Sequence, residues 1–287
     1  MRATYFGVRG SCPCSSDQHR RYGGNTSCVL VEVDGEPPLI IDLGTGLRAL
    51  GNHLQAPLEV IDTPLQATVL LTHLHYDHIL GLPFFSPLRH PDSVLDMYGP
   101  SQEATTLHDQ LDALVRPPYF PIRLGDFGGK LRFHDLDGSD DFTIGGIKVK
   151  ARSIPHRGHT LGFRLEAEGR VLAYVSDHQA PADLRTVDRN VLELCDGADL
   201  VLHDAQYTEE EFRTASDWGH STANFAVRVA RASGASRLSL FHHDPAHTDR
   251  EIDQMLLAAQ QMASEPPMVE VTAAAEGTSI DLGKASA

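Results

Sequence analysis

The sequence predicts an α/β fold: two packed sheets with helices on the outside. Three observations predict it. Short β-branched segments bounded by Gly, Asp or Pro crowd the first half of the 287 residues. Strand and helix patterns alternate in the second half. A composition of 41% hydrophobic and 22% charged residues is that of an ordinary globular chain. Two sheets back to back, with helices outside, give both halves of such a chain a place in one architecture.

Taken in order, strands are expected over 3–8, 27–33, 39–42, 67–72, 94–98, 146–154, 161–166, 170–176, 200–204, 237–242 and 268–271. Helices are expected over 46–53, 102–115, 180–194, 222–233 and 249–263. The last two carry apolar residues at helical spacing: Phe225, Val229 and Ala232, then Ile252, Met255, Leu256 and Ala259. Thr248 followed by Glu251 reads as a capping box opening the final helix. Pro117-Pro118-Tyr119-Phe120-Pro121 holds too much proline for a regular element and is expected as a stiff loop. No fixed-period repeat, low-complexity block or linker interrupts the chain, so 1–287 is expected to be one domain. That length buries a core without disulfides or a structural metal.

Several function classes are disfavoured at once. The four cysteines, Cys12, Cys14, Cys28 and Cys195, are too few for a disulfide framework, and Cys12-x-Cys14 lacks the usual zinc spacing. No apolar run reaches the ~18 residues of a membrane span. Residues 1–10 lack the apolar stretch of a secretory signal, so a cytoplasmic, non-membrane protein is expected. A net charge of −15 argues against the broad basic surface that long nucleic acids need.

Sixteen histidines stand out. Those at 73, 75, 78, 156, 159, 178, 203, 220, 242, 243 and 247 lie in or beside polar punctuations after apolar runs, where metal binding and proton transfer are frequent tasks. The densest segment is Thr72-His73-Leu74-His75-Tyr76-Asp77-His78. It places four potential ligands directly after the strand-like run 67–71. His73 and His75, two apart, project to one side of an extended chain. Asp77 and His78 open a helix, whose N-terminus favours the acid. Two such pairs suit two metal ions better than one.

The pattern His73-x-His75-x-Asp77-His78 resembles the signature of the metallo-β-lactamase superfamily. Asp42-Leu43-Gly44-Thr45-Gly46 looks like that family's DxGxG element, although alone it reads equally well as a turn. His156, after Ser153-Ile154-Pro155, matches the third histidine. Asp177, after Val171–Ser176, matches the aspartate that bridges two metals. His242 and His243 end a strand; the resemblance favours His242 as the last ligand and leaves His243 supporting it or facing substrate. The resemblance implies a four-layer αββα sandwich holding two divalent ions, with zinc favoured by affinity and manganese or iron allowed. His73, His75 and His156 would hold one, Asp77, His78 and His242 the other, with Asp177 shared. The implied chemistry is hydrolysis by a hydroxide held between the ions.

Two further segments point to phosphodiesters. Leu202-His203-Asp204-Ala205 is similar to the His-Glu-Ala-Thr element of tRNA 3′-processing nucleases. His220-Ser221-Thr222 is similar to their His-Ser-Thr element. The resemblance implies a catalytic set of Asp77, His220 as general acid and Asp204 as its orienting partner. The plainer alternatives are a helix cap at Ser221-Thr222 and a core histidine at 203. Gly7-Val8-Arg9-Gly10-Ser11, Tyr22-Gly23-Gly24-Asn25-Thr26, Pro118-Tyr119-Phe120-Pro121 and His159-Thr160-Leu161-Gly162-Phe163 resemble phrases of small bacterial phosphodiesterases, related to cyclic-nucleotide and phosphoribosyl cyclic-phosphate hydrolases. The expected substrate is a small, cyclic phosphodiester. The alternatives are an RNA 3′-end endonuclease of the tRNase Z type and a lactone or ester hydrolase; a homodimer is implied by resemblance alone. Expected substrate contacts are Asn25 in an anion-binding turn, Arg9 and Arg157 on phosphate, Tyr119 and Phe120 on a base, and His243. Each also has a plainer reading as a tight turn, a solvated charge or a core aromatic.

Overall fold

The structure is a computed structural model that describes residues 1–55, 63–102 and 105–283. Its strands divide between two seven-stranded mixed sheets. The first takes β1 (Arg2–Gly7), β2 (Cys28–Glu32), β3 (Leu39–Ile41), β4 (Gln66–Leu70), β5 (Val94–Pro100) and β6 (Lys130–Leu136) in sequence order. The second takes β7 (Asp141–Ile144), β8 (Ile147–Ser153), β9 (Leu161–Ala167), β10 (Arg170–Val175), β11 (Leu200–Asp204), β12 (Arg237–Phe241) and β13 (Glu270–Ala273). β14 (Ser279–Asp281) then returns to the first sheet beside β1. Each sheet changes character once. Pairing is antiparallel from β14 to β3 and parallel from β3 to β6. It is antiparallel from β7 to β10 and parallel from β10 to β13.

The central strands are apolar on both faces because both faces are covered. In β2, Val29 and Val31 face the other sheet, while Cys28 and Leu30 face outward. In β10, Leu172 and Tyr174 point inward and Ala173 and Val175 outward. Ile41, Leu70, Phe163, Leu202 and Phe241 complete the layer between the sheets. Helices α1 (Leu47–Leu54) and α3 (Leu107–Leu114) bury Leu50 and Leu111 against the first sheet, beyond the single turn α2 (Tyr76–Ile79). Helices α4 (Arg189–Cys195), α5 (Glu209–Ala215), α6 (Ala223–Ala232) and α7 (Asp249–Ala263) bury Val191, Phe212, Phe225 and Met255 against the second. This is the αββα order that the sequence predicts.

The helix ends follow their caps. Thr248 and Glu251 form the expected capping box of α7, and Thr222 accepts from Phe225 N to cap α6. The helix expected over 180–194 is reduced to its second half, because Asp188 caps α4 at residue 189. The helix expected over 102–115 begins after the Thr106 cap; residues 103 and 104 of that stretch lie outside the described residues. The strand expected over 268–271 lies two residues later, as β13. Among the described residues, no helix is long and apolar enough to cross a membrane.

The topology sets up the site. Asp42 follows β3, Thr72–His78 follows β4, Asp177 follows β10, Asp204 ends β11 and His242 follows β12. All five strands have parallel neighbours, and the crevice beyond the carboxyl ends of such strands is where ligands bind in α/β sheets.

Candidate metal centre and catalytic cleft

The backbone at this rim is strained. Of the six non-glycine residues with left-handed φ among those described, four lie here: Ser11 at 58°, Asp42 at 61°, Asp177 at 57° and His242 at 61°. Asp42, Asp177 and His242 fall within two residues of a strand end, where a sharp turn carries the chain out of the sheet. Two glycines give the imidazoles room. A Cβ on Gly10 would lie 2.4 Å from the His242 ring, and one on Gly219 (φ 101°) would lie 2.6 Å from the His156 ring.

One donor atom from each of His73, His75, His156 and Asp177 lies within 4.8 Å of the other three, and the same holds for Asp77, His78, Asp177 and His242. Asp177 belongs to both groups. Its Oδ2 lies 3.1 Å from His78 Nε2 and 3.3 Å from His242 Nε2, while its Oδ1 lies 3.7 Å from His73 Nε2. Asp77 Oδ2 lies 3.2 Å from His78 Nε2 and 3.1 Å from His242 Nε2, and it also accepts from Ser11 N at 2.7 Å. The sequence-predicted ligands therefore come together without omission, and His242, not His243, joins them.

The hydrogen bonds behind the cluster decide which nitrogen faces it. His78 Nδ1 donates to Asp42 Oδ2 at 2.8 Å, which leaves Nε2 for the cluster. Thr72 Oγ1 lies 2.9 Å from Asp42 Oδ1 and 3.0 Å from His73 Nδ1. A hydroxyl that donates to the carboxylate accepts from His73 Nδ1–H, so Asp42 sets a second imidazole through Thr72. Tyr174 OH also donates to Asp42, at 3.0 Å. His156 Nδ1 donates to the Gly219 carbonyl at 2.7 Å, again freeing Nε2.

Electrostatics divide the cluster into two kinds of donor. Burial lowers His73 and His75 and takes His156 down to about 4, so these rings stay neutral at pH 7. Burial also opposes charge on His78 and His242, but Asp177 and Asp77 outweigh it. Both pKa values rise, His242 to about 9. In return these two rings hold Asp77 and Asp177 below the carboxylate range despite burial.

His220 lines the adjoining cleft with His75, Asp77 and Asp177. Its Nδ1 donates to Asp204 Oδ2 at 2.8 Å, while Asp204 Oδ1 accepts from Ser221 N at 2.7 Å. The shorter Asp at 204 thus reaches His220 directly. Behind it, His203 Nδ1 donates to the Asp204 carbonyl at 2.7 Å, and so its Nε2 accepts from His178 Nδ1 at 2.9 Å. Both rings are fully buried.

The expected substrate contacts fare differently. Arg9 is fully buried; its Nε donates to the Gly23 carbonyl and its Nη1 to the carbonyls of Asp244 and His247, while Nη2 is buried without a partner, so the side chain is turned into the protein and does not line the cleft. Asn25 does sit in an anion-binding turn, but the anion is the chain's own Glu276, which accepts from the Asn25 backbone N and from Nδ2. His243 turns into the core. Its Nε2 donates to the Ala274 carbonyl, its ring meets Tyr22, and burial lowers its pKa to about 3. Arg157 is at the surface, bonded to the carbonyl and carboxylate of Asp217. Tyr119 and Phe120 line a groove beside the cleft. Sequence reasoning assigned no role to Tyr174 or to the Ser11 backbone, and nothing in their residue types signals one.

A profile described as a beta-lactamase superfamily domain matches residues 39–243. The chain belongs to the metallo-β-lactamase superfamily. It is a hydrolase of that superfamily, and its fold implies divalent metal ions. Ribonuclease Z of Natronomonas pharaonis is 26% identical over 305 residues, covering 88% of this chain and 92% of that one. An uncharacterized protein of Mycobacterium tuberculosis is 30% identical over 259 residues, covering 88% and 83%. The crystal structure of human tRNase Z, short form, superposes with a TM-score of 0.68 at 22% identity, covering 99% and 100%, and shares the fold. The residues present fit divalent ions. The donors are imidazoles and carboxylates with no thiolate, and His73 Nε2 is buried without any hydrogen-bond partner.

Proposed function

We propose that this chain is a di-metal phosphodiesterase acting on a small, cyclic phosphodiester, such as a 3′,5′-cyclic nucleotide or phosphoribosyl cyclic phosphate. The observation that carries the reading is His220: an imidazole fixed by Asp204 at 2.8 Å, on the wall of the same cleft as Asp77 and Asp177. His73, His75 and His156 would hold one ion and Asp77, His78 and His242 the other, with Asp177 shared; zinc suits the donors, as do manganese and iron. When bound, such a pair supplies Lewis-acid activation of water and neutralises phosphate charge.

The chain's own residues supply the rest. Asp204 holds the Nδ1 proton of His220, so Nε2 is the nitrogen that faces the leaving group. Protonated there, His220 hands its proton to the departing alkoxide as the P–O bond breaks. The hold of Asp204 on Nδ1 also keeps that nitrogen from serving as a further ligand. Asp42 and the Gly219 carbonyl orient the ligand rings from behind.

A volume of about 500 Å3 for the cleft suits a small ligand. Of the two arginines expected on phosphate, one is buried and the other is paired with Asp217. The second reading, an RNA 3′-end endonuclease, rests on the ribonuclease Z relatives. Turnover of the metal-loaded protein decides between them. The panel is bis-p-nitrophenyl phosphate, cyclic AMP and GMP, phosphoribosyl cyclic phosphate, a tRNA precursor and a lactone. Cleavage of small diesters is expected. Cleavage of the tRNA precursor alone would favour the second reading, and of the lactone alone would end both.

A further inference from the structure

Beside the cleft lies a second cavity, of about 560 Å3. The two share Tyr76, Ala113 and Leu114 as a common wall. Tyr76 stands between His75 and Asp77, so the metal-binding loop itself contributes an aromatic ring to both spaces. The chemistry changes across that wall. One side carries His75, Asp77, Asp177 and His220; among the described residues no carboxylate lines the other, where Ile79, Phe84, Leu111 and Phe120 accompany one cation, Arg116.

This groove also gathers apolar surface that ought to be buried. Eight large hydrophobic residues among those described are exposed, and four of them line it: Tyr76 at 64%, Leu80 at 44%, Phe84 at 55% and Tyr119 at 79%. Scattered exposure needs no explanation, but a contiguous patch does. Phe84 and Phe120 meet edge to face at 5.9 Å, so these rings already have fixed neighbours. Aromatic faces with one guanidinium recognise a flat π-system by stacking and cation–π attraction.

We infer that the groove holds a planar aromatic group, a nucleobase, carried by the diester whose phosphate lies in the cleft. The inference rests on the phosphodiesterase reading and narrows it: the substrate is a nucleotide, and Tyr76, Phe84, Tyr119 and Phe120 recognise its base. Adjacency of the two spaces, which share Tyr76, Ala113 and Leu114, argues for the substrate's own base over a separate partner.

The test compares kcat/KM of the metal-loaded full chain on adenosine 3′,5′-cyclic phosphate and on ribose 3′,5′-cyclic phosphate, which lacks the base. Wild type is expected to favour the base-bearing diester by roughly tenfold or more, mainly through KM. Phe84→Ala and Tyr119→Ala, both at exposed positions, should each cut that preference at least fivefold. A preference unchanged in both variants overturns the inference and leaves the phosphodiesterase reading standing. So does a preference unchanged while sedimentation shows that the variants turn a dimer into monomers, which would make the groove a contact between two copies. Turnover of neither diester by wild type overturns both.

Discussion

Asp42→Asn is the sharpest test of how the centre is organised. Asp42 is fully buried and gathers four donors: Thr72 N at 2.8 Å, Thr72 Oγ1 at 2.9 Å, His78 Nδ1 at 2.8 Å and Tyr174 OH at 3.0 Å. An asparagine keeps the size and accepts a φ of 61° readily, so the backbone does not confound the result. It can still accept from Thr72, but its amide then faces His78 Nδ1. The His78 ring must move its proton to Nε2, pointing an N–H at Asp77 and Asp177 where a ligand nitrogen is needed. Losing an outer partner of this kind costs about 10- to 100-fold in metal affinity, roughly 1.4 to 2.8 kcal/mol. Only the His78 group is affected directly, so one equivalent should weaken well before the other. The assay is metal content by mass spectrometry after equilibration across buffered free zinc, with thermal unfolding of each sample to show that the fold is intact. If the folded variant binds two equivalents within about twofold of the wild-type affinity, Asp42 does not set the tautomer.

The other predictions concern separate parts of the molecule. His220→Ala should lower kcat on cyclic nucleotides by about 10²-fold or more with metal content unchanged, and far less on bis-p-nitrophenyl phosphate, whose leaving group needs no proton; loss of metal would instead make His220 a ligand. His178→Leu should reduce kcat roughly tenfold at constant KM through the His203–Asp204 contact. His178→Asn, whose amide stands in for Nδ1–H, should recover most of it; equal behaviour of the two variants refutes the role. His242→Ala should lose metal, while His243→Gln should keep it, because His243 donates into the core; matched stoichiometries would be incompatible with the structure. Cys195 is fully buried and burial raises its thiol to about 12, so its contribution to stability is complete below pH 9 and is lost as pH climbs toward 12. Urea titrations between pH 9 and 11 should show a slope smaller by about 1.4 kcal/mol per pH unit in Cys195→Ala than in wild type; an unchanged slope counts against it.

What the sequence revealed, and what it hid, follows from burial. The central strands announce themselves because both faces are covered and their residues are apolar throughout. The three strands that sequence reasoning missed, β6, β7 and β14, are all sheet edges. Lys130-Leu-Arg-Phe-His-Asp-Leu and Asp141-Phe-Thr-Ile mix charge with apolar residues because an edge is half solvated and charge there discourages pairing with other chains. Helix α5 escaped notice because it buries only Phe212 and Ala215, although its Thr208–Glu211 capping box was there to be read. The candidate ligands were legible because imidazoles after apolar runs are conspicuous. The substrate contacts were not, since a sequence does not say whether Arg9 meets a phosphate or three carbonyls, or whether the anion in the Asn25 turn is foreign or Glu276.

The pairing of β14 with β1 has a consequence for how the chain could be rewired. Arg2 lies opposite Asp281, and the hydroxyls of Thr4 and Ser279, 275 positions apart, touch at 2.8 Å. The first and last strands are thus already neighbours, and the passage from β6 to β7 is where the backbone first leaves one sheet for the other. A circular permutant opened there and fused across the old ends would make its two halves in reverse order, each with its own share of the ligands. Recovery of both metal equivalents in such a protein would show that the centre depends on where the strands end, whichever half is synthesised first.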